Sequence, residues 1–216
     1  MVFRDRCEAG QMLAERLMVY RDRSPIVLGL PRGGVVVGYE VARALKAPLE
    51  VIVTRKLGAP HNPEFGFGAV GPGGVCVVDP STVRMLGLSQ EEISQIAAAE
   101  TKELERRLER YRGDRPMPDL RERTAIVVDD GLATGGTARA AVRVVRGMEA
   151  SSVVLAVPVA PPDTVESLRP EVDDLVCLHA PVGFMAVGQW YYDFGQTSDA
   201  EVVDLLERAR RGWDAE

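Results

Sequence analysis

The sequence is poor in cysteine, and the cysteines it has form no motif. Cys7, Cys76 and Cys177 lie far apart, and no CxxC pair occurs among the 216 residues. This spacing favours neither a structural zinc site nor a disulfide framework. Because each cysteine lies in or near an apolar run, we expect three reduced, buried thiols of the kind that cytoplasmic proteins carry.

Long hydrophobic runs and an excess of positive charge are also missing. No window of about 18 apolar residues occurs, and the first residues alternate charged with apolar side chains, unlike a secretory signal. The formal net charge of −6 gives no broad attraction for nucleic acid or for an acidic membrane. We therefore expect a cytoplasmic protein with neither a membrane nor nucleic acid as its partner.

Two common nucleotide-binding motifs are absent as well. The sequence has no GxxxxGK[ST], and no GxGxxG follows a predicted strand. These absences leave a different nucleotide-binding α/β protein as a poorly supported alternative to the function considered below.

What the chain does have is an alternation of short aliphatic runs with helical patterns, the helices being predicted at 33–45 and 137–148. Near-continuous apolar strands between helices are typical of a parallel sheet that is covered on both faces. The sequence therefore predicts an α/β fold with a doubly wound, mainly parallel sheet. The predicted strands are 26–30, 49–54, 124–129, 152–159 and 175–179.

We expect a single domain over 1–216, with its core at about 25–180. Residues 55–123 interrupt the alternation with a glycine-rich loop and then a charged helix. Ser89 and Glu92 form a capping box at the start of that helix, and apolar residues recur at three- and four-residue steps after it. This pattern favours a helix packed on the body, with a dimer contact as the alternative.

The residues with evident chemistry are concentrated in TAIVVDDGLATGGT at 124–137. A strand ends there in two acids, and small and hydroxyl residues lead into a helix. Backbone N–H groups at the start of a helix favour a phosphate, and glycines permit its close approach. Asp129 and Asp130 can accept hydrogen bonds from sugar hydroxyls and help to hold a hydrated Mg²⁺. The pattern predicts recognition of a phosphate and a ribose side by side.

The string VVDDGLATGGT resembles, over its whole length, the motif with which type I phosphoribosyltransferases bind 5-phosphoribosyl-1-pyrophosphate (PRPP). The resemblance implies that Asp129 and Asp130 contact the ribose hydroxyls and that Mg²⁺ is bound together with PRPP. It implies that the 5′-phosphate is held by Gly131, Leu132, Ala133, Thr134, Gly135, Gly136 and Thr137.

A second loop, GLPRGG at 29–34, follows the first predicted strand. Arg32 offers a fork of donors for a diphosphate, and Gly33 and Gly34 free the backbone for close approach. In the family, a loop at this position binds the pyrophosphate group of PRPP. An ordinary turn is the alternative.

The segment TRKLGAPH follows the second predicted strand, where type I enzymes have a mobile loop that closes over the site. The resemblance assigns Lys56 to the leaving pyrophosphate as a catalytic residue, with Arg55 second and His61 a weaker candidate. An exposed strand end is the alternative. Glu64 and Asp193 are conjectural general bases.

Residues 181–197 include GFMAVGQWYYDFGQ and are the candidate for the hood that family members build over the base. An aromatic side chain usually stacks on the base there, which makes Phe184, Trp190, Tyr191 and Tyr192 candidates. A small satellite core and a dimer contact remain alternatives.

The acceptor base is only weakly indicated. Hypoxanthine-guanine enzymes have a carboxylate where this chain has Ala133, whereas LATGGT and RKxGxP are similar to adenine enzymes. We therefore expect a phosphoribosyltransferase acting on a purine-like base, adenine slightly favoured, and a homodimer as is common in the family. The alternative is a non-catalytic PRPP sensor that acts through a partner or RNA, with Arg106, Arg107 and Arg110 as its basic face.

Overall fold

The structure is a computed structural model that describes residues 1–60 and 62–213, without the side chains of residues 63 and 64. The strands are β1 (Pro25–Gly29), β2 (Leu49–Val51), β3 (Arg55–Ala59), β4 (Asn62–Val70), β5 (Cys76–Val78), β6 (Thr124–Val128), β7 (Ser152–Val159) and β8 (Asp174–His179). The helices are α1 (Arg6–Leu17), α2 (Gly33–Leu45), α3 (Pro80–Leu86), α4 (Gln90–Arg112), α5 (Gly136–Gly147), α6 (Pro162–Leu168) and α7 (Asp199–Arg210).

A five-stranded parallel sheet in the order β2-β1-β6-β7-β8 forms the centre of the molecule. Every residue of β1 and β6 is buried, as near-continuous aliphatic strands require. The apolar side chains of the sheet contribute to two large clusters, one with α1, α2 and α7 and the other with α5 and α6. The predicted doubly wound, mainly parallel fold is confirmed.

The helices that follow β1 and β6 begin at the glycines that were expected to open them. Helix α2 has the predicted bounds, and α5 begins one residue earlier than predicted. Strand β2 is shorter than predicted and ends at Val51, although the next residue, Ile52, still donates its N–H to the Gly29 carbonyl oxygen over 3.0 Å. These connections place both glycine loops at the carboxyl edge of the sheet.

Strands β3, β4 and β5 form an antiparallel sheet, where the sequence predicted a loop. The strands could not be recognised in the sequence because their glycines break the alternation of apolar and polar residues that identifies a strand. At Gly68 the Cβ of any other residue would lie 2.4 Å from the Val77 carbonyl oxygen, so the close pairing with β5 requires this glycine. Leu57 and Phe67 are fully buried and anchor the sheet on the body.

Helix α4 confirms the predicted capping box. Glu92 donates its N–H to Ser89 Oγ over 3.2 Å, and its carboxylate accepts from the Ser89 N–H over 2.9 Å. Ile93, Leu104 and Tyr111 are buried along one stripe of the helix, which packs on β3, β4 and α7. The apolar stripe is therefore part of the core of this chain.

The first residues of the chain pair with the segment after β8. Phe3 donates its N–H to the Trp190 carbonyl oxygen over 2.8 Å, and its own carbonyl oxygen accepts from the Tyr192 N–H over 2.9 Å. The Asp193 backbone N–H donates to the Arg4 carbonyl oxygen over 2.8 Å, and the Phe3 side chain is fully buried. We call residues 3–4 the strap.

The expectation of three buried thiols is wrong. All three cysteines are free, but Cys7 and Cys76 are exposed, and only Cys177 is half-buried. Cys7 lies in the first turn of α1 on its outer face, and an apolar neighbourhood in the sequence does not specify which face a helical residue occupies. Within the described ranges, no helix combines the length and the apolar character needed to cross a membrane.

Candidate functional site

The β1–α2 loop and the β6–α5 loop meet at the carboxyl edge of the central sheet. Leu30 donates its N–H to the Val128 carbonyl oxygen over 2.8 Å. A Cβ at Gly33 would lie 1.9 Å from Asp130 Oδ2, and one at Gly34 would lie 2.6 Å from the Val128 carbonyl oxygen. At Gly34 the contact is with backbone, so only glycine fits, whereas a larger residue at Gly33 would displace the Asp130 carboxylate. The predicted pyrophosphate loop therefore lies directly against the predicted ribose-binding acids.

Asp129 and Asp130 are half-buried at the end of β6. The Asp130 N–H donates to Asp129 Oδ1 over 2.9 Å, which fixes one carboxylate against the following peptide. Burial raises the pKa of Asp129 well above its ordinary value, and the Asp130 charge beside it raises that pKa further. Two carboxylates held this close are stabilised by any cation or hydroxyl donor that binds between them.

Arg6, in the first turn of α1, supplies such a cation and was not predicted from the sequence. Its Nε lies 2.7 Å from Asp130 Oδ2, and the two side chains are only 12% and 15% exposed. One of its terminal nitrogens donates to the Gly195 carbonyl oxygen over 2.7 Å, and its guanidinium lies 4.0 Å from the centre of the Phe194 ring. Arg6 thus joins the acid pair to the segment after β8.

Tyr191 has a place different from the one predicted. It is 6% exposed, its ring packs 5.4 Å from Phe3 and 5.0 Å from Phe194, and its hydroxyl donates to the Asp130 carbonyl oxygen over 2.5 Å. Burial raises the pKa of Tyr191, which keeps the hydroxyl protonated as a donor. Aromatic neighbours cover most of the ring, so the contacts of Tyr191 are with the acid loop and the satellite aromatic residues. Its role in stacking on a base stays a prediction.

Residues 134–137 lead into α5 and form an open turn. Gly135 has a φ of 73°, and a Cβ there would lie 2.8 Å from Leu168 Cδ1, so glycine is required twice over. The Ala133 carbonyl oxygen accepts from the Thr164 hydroxyl over 2.8 Å, which fixes the start of the turn. The backbone N–H groups of 134–137 donate no hydrogen bond to another described residue. These donors are suited to an anion at the start of a helix.

Arg32 occupies the N-cap position of α2, directly after the cis Pro31–Arg32 peptide bond. Its Nη1 lies 3.8 Å from Asp199 Oδ1 at the start of α7. The same carboxylate accepts from Arg110 over 2.5 Å and from the Tyr111 hydroxyl over 2.7 Å, both at the end of α4. The Arg32 side chain is thus directed toward α4 and α7.

Arg55 and Lys56 are adjacent on β3 and so point to opposite faces of the small sheet. The Arg55 Nε lies 2.7 Å from Glu100 Oε2 on α4, beside a cavity of about 380 Å³. Lys56 is exposed, and its aliphatic part lies where a Cβ at Gly66 would approach to 2.9 Å. The catalytic assignment of both residues stays a prediction, and Arg55 already has a carboxylate partner.

The remaining candidates for proton transfer are His61, Glu64 and Asp193. His61 lies outside the described residues, and so does the side chain of Glu64. Asp193 Oδ1 accepts from the Gly195 N–H over 3.1 Å and so stabilises the turn whose carbonyl oxygen binds Arg6. This contact gives Asp193 a structural role, and its role as a base stays a conjecture.

The aromatic residues after β8 pack mostly on one another. The rings of Phe184 and Trp190 are stacked with centres 6.4 Å apart and planes 17° apart, and Trp190 meets the His179 ring edge-on at 5.0 Å. Tyr192 is 83% exposed. The satellite core that was the alternative for this segment is therefore present, and Phe184 and Trp190 form one half-buried aromatic surface beside it.

This aromatic segment contacts the acid loop directly. A Cβ at Gly131 would lie 2.6 Å from Val187 Cγ1, so the segment packs against the residue that follows the acid pair. Together with the Tyr191 hydroxyl, this contact places residues 181–197 over the same edge of the sheet as the two glycine loops.

The acid pair fits a magnesium ion that arrives with a phosphate ligand. Within the described ranges, no cluster of three or more acidic, histidine or cysteine side chains could hold a metal without help. The contacts already described use Asp129 Oδ1 and Asp130 Oδ2, and the second oxygen of each carboxylate remains suited to a hydrated cation. Mg²⁺ commonly keeps water and phosphate ligands and needs only one or two carboxylates from the protein.

Comparison with known proteins finds solved structures with the same fold. The crystal structure of TT1426 from Thermus thermophilus is 46% identical, with a TM-score of 0.90 over 96% of this chain and 99% of that one. A Neisseria gonorrhoeae protein at 13% identity and a TM-score of 0.50, covering 97% of this chain and 99% of its own, shares the fold alone.

Two curated Mycobacterium tuberculosis proteins, Rv0571c and MT0597, are named provisionally as phosphoribosyl transferases. Each is 49% identical over 210 residues, or 97% of this chain, which spans only 47% of their length. The family model for the phosphoribosyl transferase domain matches residues 7–187, which include both glycine loops and the acid pair. The chain therefore belongs to the phosphoribosyl transferase domain family.

Proposed function

We propose that this protein binds Mg·PRPP and transfers its 5-phosphoribosyl group to a nitrogenous base, with release of pyrophosphate. The observation that carries the proposal is the contact between Gly33 and Asp130, where a Cβ would approach to 1.9 Å. This contact supports a single ligand that has its diphosphate at one loop and its ribose at the other. PRPP has both groups, joined at C1.

The residues would divide the work as follows. Backbone N–H groups of 134–137 hold the 5′-phosphate, and Asp129 and Asp130 accept hydrogen bonds from the ribose hydroxyls. Arg32 and Lys56 neutralise the leaving pyrophosphate while the base nitrogen attacks C1 through an oxocarbenium-like state. Bound Mg²⁺ would add positive charge beside the diphosphate. The contribution of the protein is mainly positioning and charge stabilisation.

The acceptor is proposed to be purine-like, with adenine slightly favoured. The neutral Ala133 is exposed just before residues 134–137. Hypoxanthine-guanine enzymes have a carboxylate at this position, so its absence disfavours a 6-oxopurine. Phe184, Trp190 and the exposed Tyr192 are the candidates whose rings are most accessible for stacking on the base. A cytoplasmic homodimer remains part of this proposal.

The decisive experiment measures pyrophosphate release from Mg·PRPP with adenine, guanine, hypoxanthine, xanthine, uracil and orotate. We expect release with a purine, adenine first, and PRPP binding by calorimetry in the absence of any base. Release that requires a pyrimidine would contradict the proposed acceptor. Failure of the protein to bind Mg·PRPP at all would contradict the function itself.

A PRPP sensor without catalytic activity is the second candidate. The observation that favours it is the arginine-rich end of α4, where Arg106, Arg107 and Arg110 are all exposed. Such a surface can contact an acidic partner without taking part in chemistry. Tight PRPP binding with no pyrophosphate release for any base would support the sensor over the enzyme.

A further inference from the structure

The start of α2, the start of α7 and the last turns of α4 enclose a cavity of about 230 Å³. Its lining is unusual because four arginines from two distant parts of the chain meet there. The lining residues are Arg32, Arg106, Arg107, Arg110, Tyr111 and Asp199. Neither the ribose-binding acids nor the 134–137 turn contributes to it.

The counter-charges in this arginine cavity are incomplete. Asp199 lies 2.5 Å from Arg110 and 3.8 Å from Arg32. Glu103 lies 2.9 Å from Arg106 and 3.0 Å from Arg107. Four guanidinium groups are thus paired with two carboxylates, and an excess of positive charge remains.

The geometry suits an oxyanion with several acceptor oxygens. Each guanidinium presents a planar fork of donors, and at 46% to 62% side-chain exposure the four arginines keep donors accessible to a ligand. Helices α2 and α7 both begin at the cavity, so their positive ends add to its potential. Only Asp199 among the lining residues opposes an anion.

We infer that the arginine cavity binds a phosphate-type dianion. Two sources have this chemistry. One is the diphosphate group of PRPP, because Arg32 belongs to the pyrophosphate loop, and in this form the inference rests on the proposed function. The other is a free phosphate or pyrophosphate that binds beside the substrate. In both forms Arg107 and Arg110 bind the anion, and Asp199 competes with it for the arginines.

The test titrates inorganic pyrophosphate into the full chain at constant ionic strength, followed by calorimetry. The double variant Arg107→Gln/Arg110→Gln should weaken binding about tenfold or more, since two charge-assisted contacts are lost. Asp199→Asn should strengthen binding several-fold, because it removes the competing carboxylate. The control Arg121→Gln/Arg146→Gln, which changes two exposed and ion-paired arginines elsewhere, should bind as the wild type does.

The opposite signs separate an anion site from a general loss of structure. A variant that merely disturbs the fold weakens binding, so weaker binding in both Asp199→Asn and the double variant would overturn the inference. Unchanged binding in either would overturn it as well. These binding results do not depend on whether any base supports pyrophosphate release from Mg·PRPP. This test can therefore fail independently of the test of the proposed function.

PRPP titrations of the same variants then identify the source of the anion. A parallel loss of PRPP and pyrophosphate affinity in the double variant would assign the cavity to the diphosphate of the substrate. Loss of pyrophosphate affinity with unchanged PRPP affinity would assign it to a separate anion.

Discussion

At the scale of single residues, Gly33 is the most sharply constrained position in the site. Gly33→Ala should lower PRPP affinity about tenfold or more, because a Cβ 1.9 Å from Asp130 Oδ2 would displace the Asp130 carboxylate. Calorimetric titration with Mg·PRPP measures this. Gly38→Ala in the same helix is the matched control, since its Cβ would meet no heavy atom closer than 3.4 Å. Equal affinity in both variants would contradict the packing of the two loops.

Arg6 gives a second prediction at this scale. Arg6→Ala should weaken PRPP binding about tenfold, because the Asp130 carboxylate loses its positively charged partner and is no longer held in one orientation. Arg6→Lys should recover part of the loss, since it restores the charge without the fork. Titration with Mg·PRPP distinguishes the three proteins.

Arg4→Ala is the control for the Arg6 variants. Arg4 lies two residues away, is 67% exposed and pairs with Asp5, so its removal should leave PRPP affinity unchanged. Tighter PRPP binding by Arg6→Ala would show that Arg6 competes with the ribose for Asp130 and does not position it.

The acids and glycines of the two loops could be recognised as candidates in the sequence because local backbone geometry and adjacent side chains mark them. Arg6 and Tyr191 could not, because each meets Asp130 only through a contact between distant parts of the chain. No periodicity distinguishes Arg6 from the other charged residues near it. The burial of Tyr191 likewise depends on Phe3, which no local pattern associates with it.

At the scale of secondary-structure elements, Asp199 connects α7 to α4. Hydrogen bonds from Tyr111 and Arg110 lower the pKa of Asp199 below its ordinary value, so its charged form stabilises the folded state. Asp199→Asn should therefore lower the free energy of unfolding at pH 7 by about 1 kcal/mol or less.

The sign of this effect sets its pH dependence. A carboxylate whose pKa is lowered by folding contributes to the free energy of unfolding at any pH above its pKa in the unfolded state. This contribution is lost as the pH falls through its pKa in the folded state. The stability difference between wild type and Asp199→Asn should thus shrink below about pH 4. Denaturant unfolding at pH 7 and pH 3 measures it, and an equal difference at both would contradict an electrostatic origin.

The β3–β4 hairpin gives the prediction on catalysis. Lys56→Ala should lower the turnover number by more than it lowers PRPP affinity, because a charge on the leaving group matters most in the transition state. Steady-state kinetics compared with PRPP titration separates the two effects. Lys102→Ala, an exposed lysine on α4, is the control. An equal loss of turnover and affinity would place Lys56 in ground-state binding.

Elements were predictable where local signals agreed with the fold. Gly33 after an aliphatic run gave the start of α2, and Ser89 with Glu92 gave the start of α4. The strands of residues 55–78 were not predicted, because their glycines reflect close backbone approach, as at Gly68, and only the partner strand explains them.

At the scale of the whole molecule, the strap joins the beginning of the chain to the segment over the site. Phe3→Ala should lower the free energy of unfolding by about 3–5 kcal/mol, because it removes a fully buried ring that packs on Tyr191. Chemical denaturation measures the loss. Val2→Ala, at a side chain that is 42% exposed, should cost little by comparison. A small loss at Phe3 would mean that the hood holds its place without the strap.

The strap also has a consequence for the order in which the chain folds. Phe3 can pair with Tyr191 only after nearly all of the intervening chain has been synthesised and has collapsed, and such long-range contacts form late because closing a large loop is entropically unfavourable. The Tyr191 ring that packs on Phe3 carries the hydroxyl that donates to the Asp130 carbonyl oxygen. An incomplete chain emerging from a ribosome would therefore contain residues 134–137 well before Asp130 gains its contact with Tyr191.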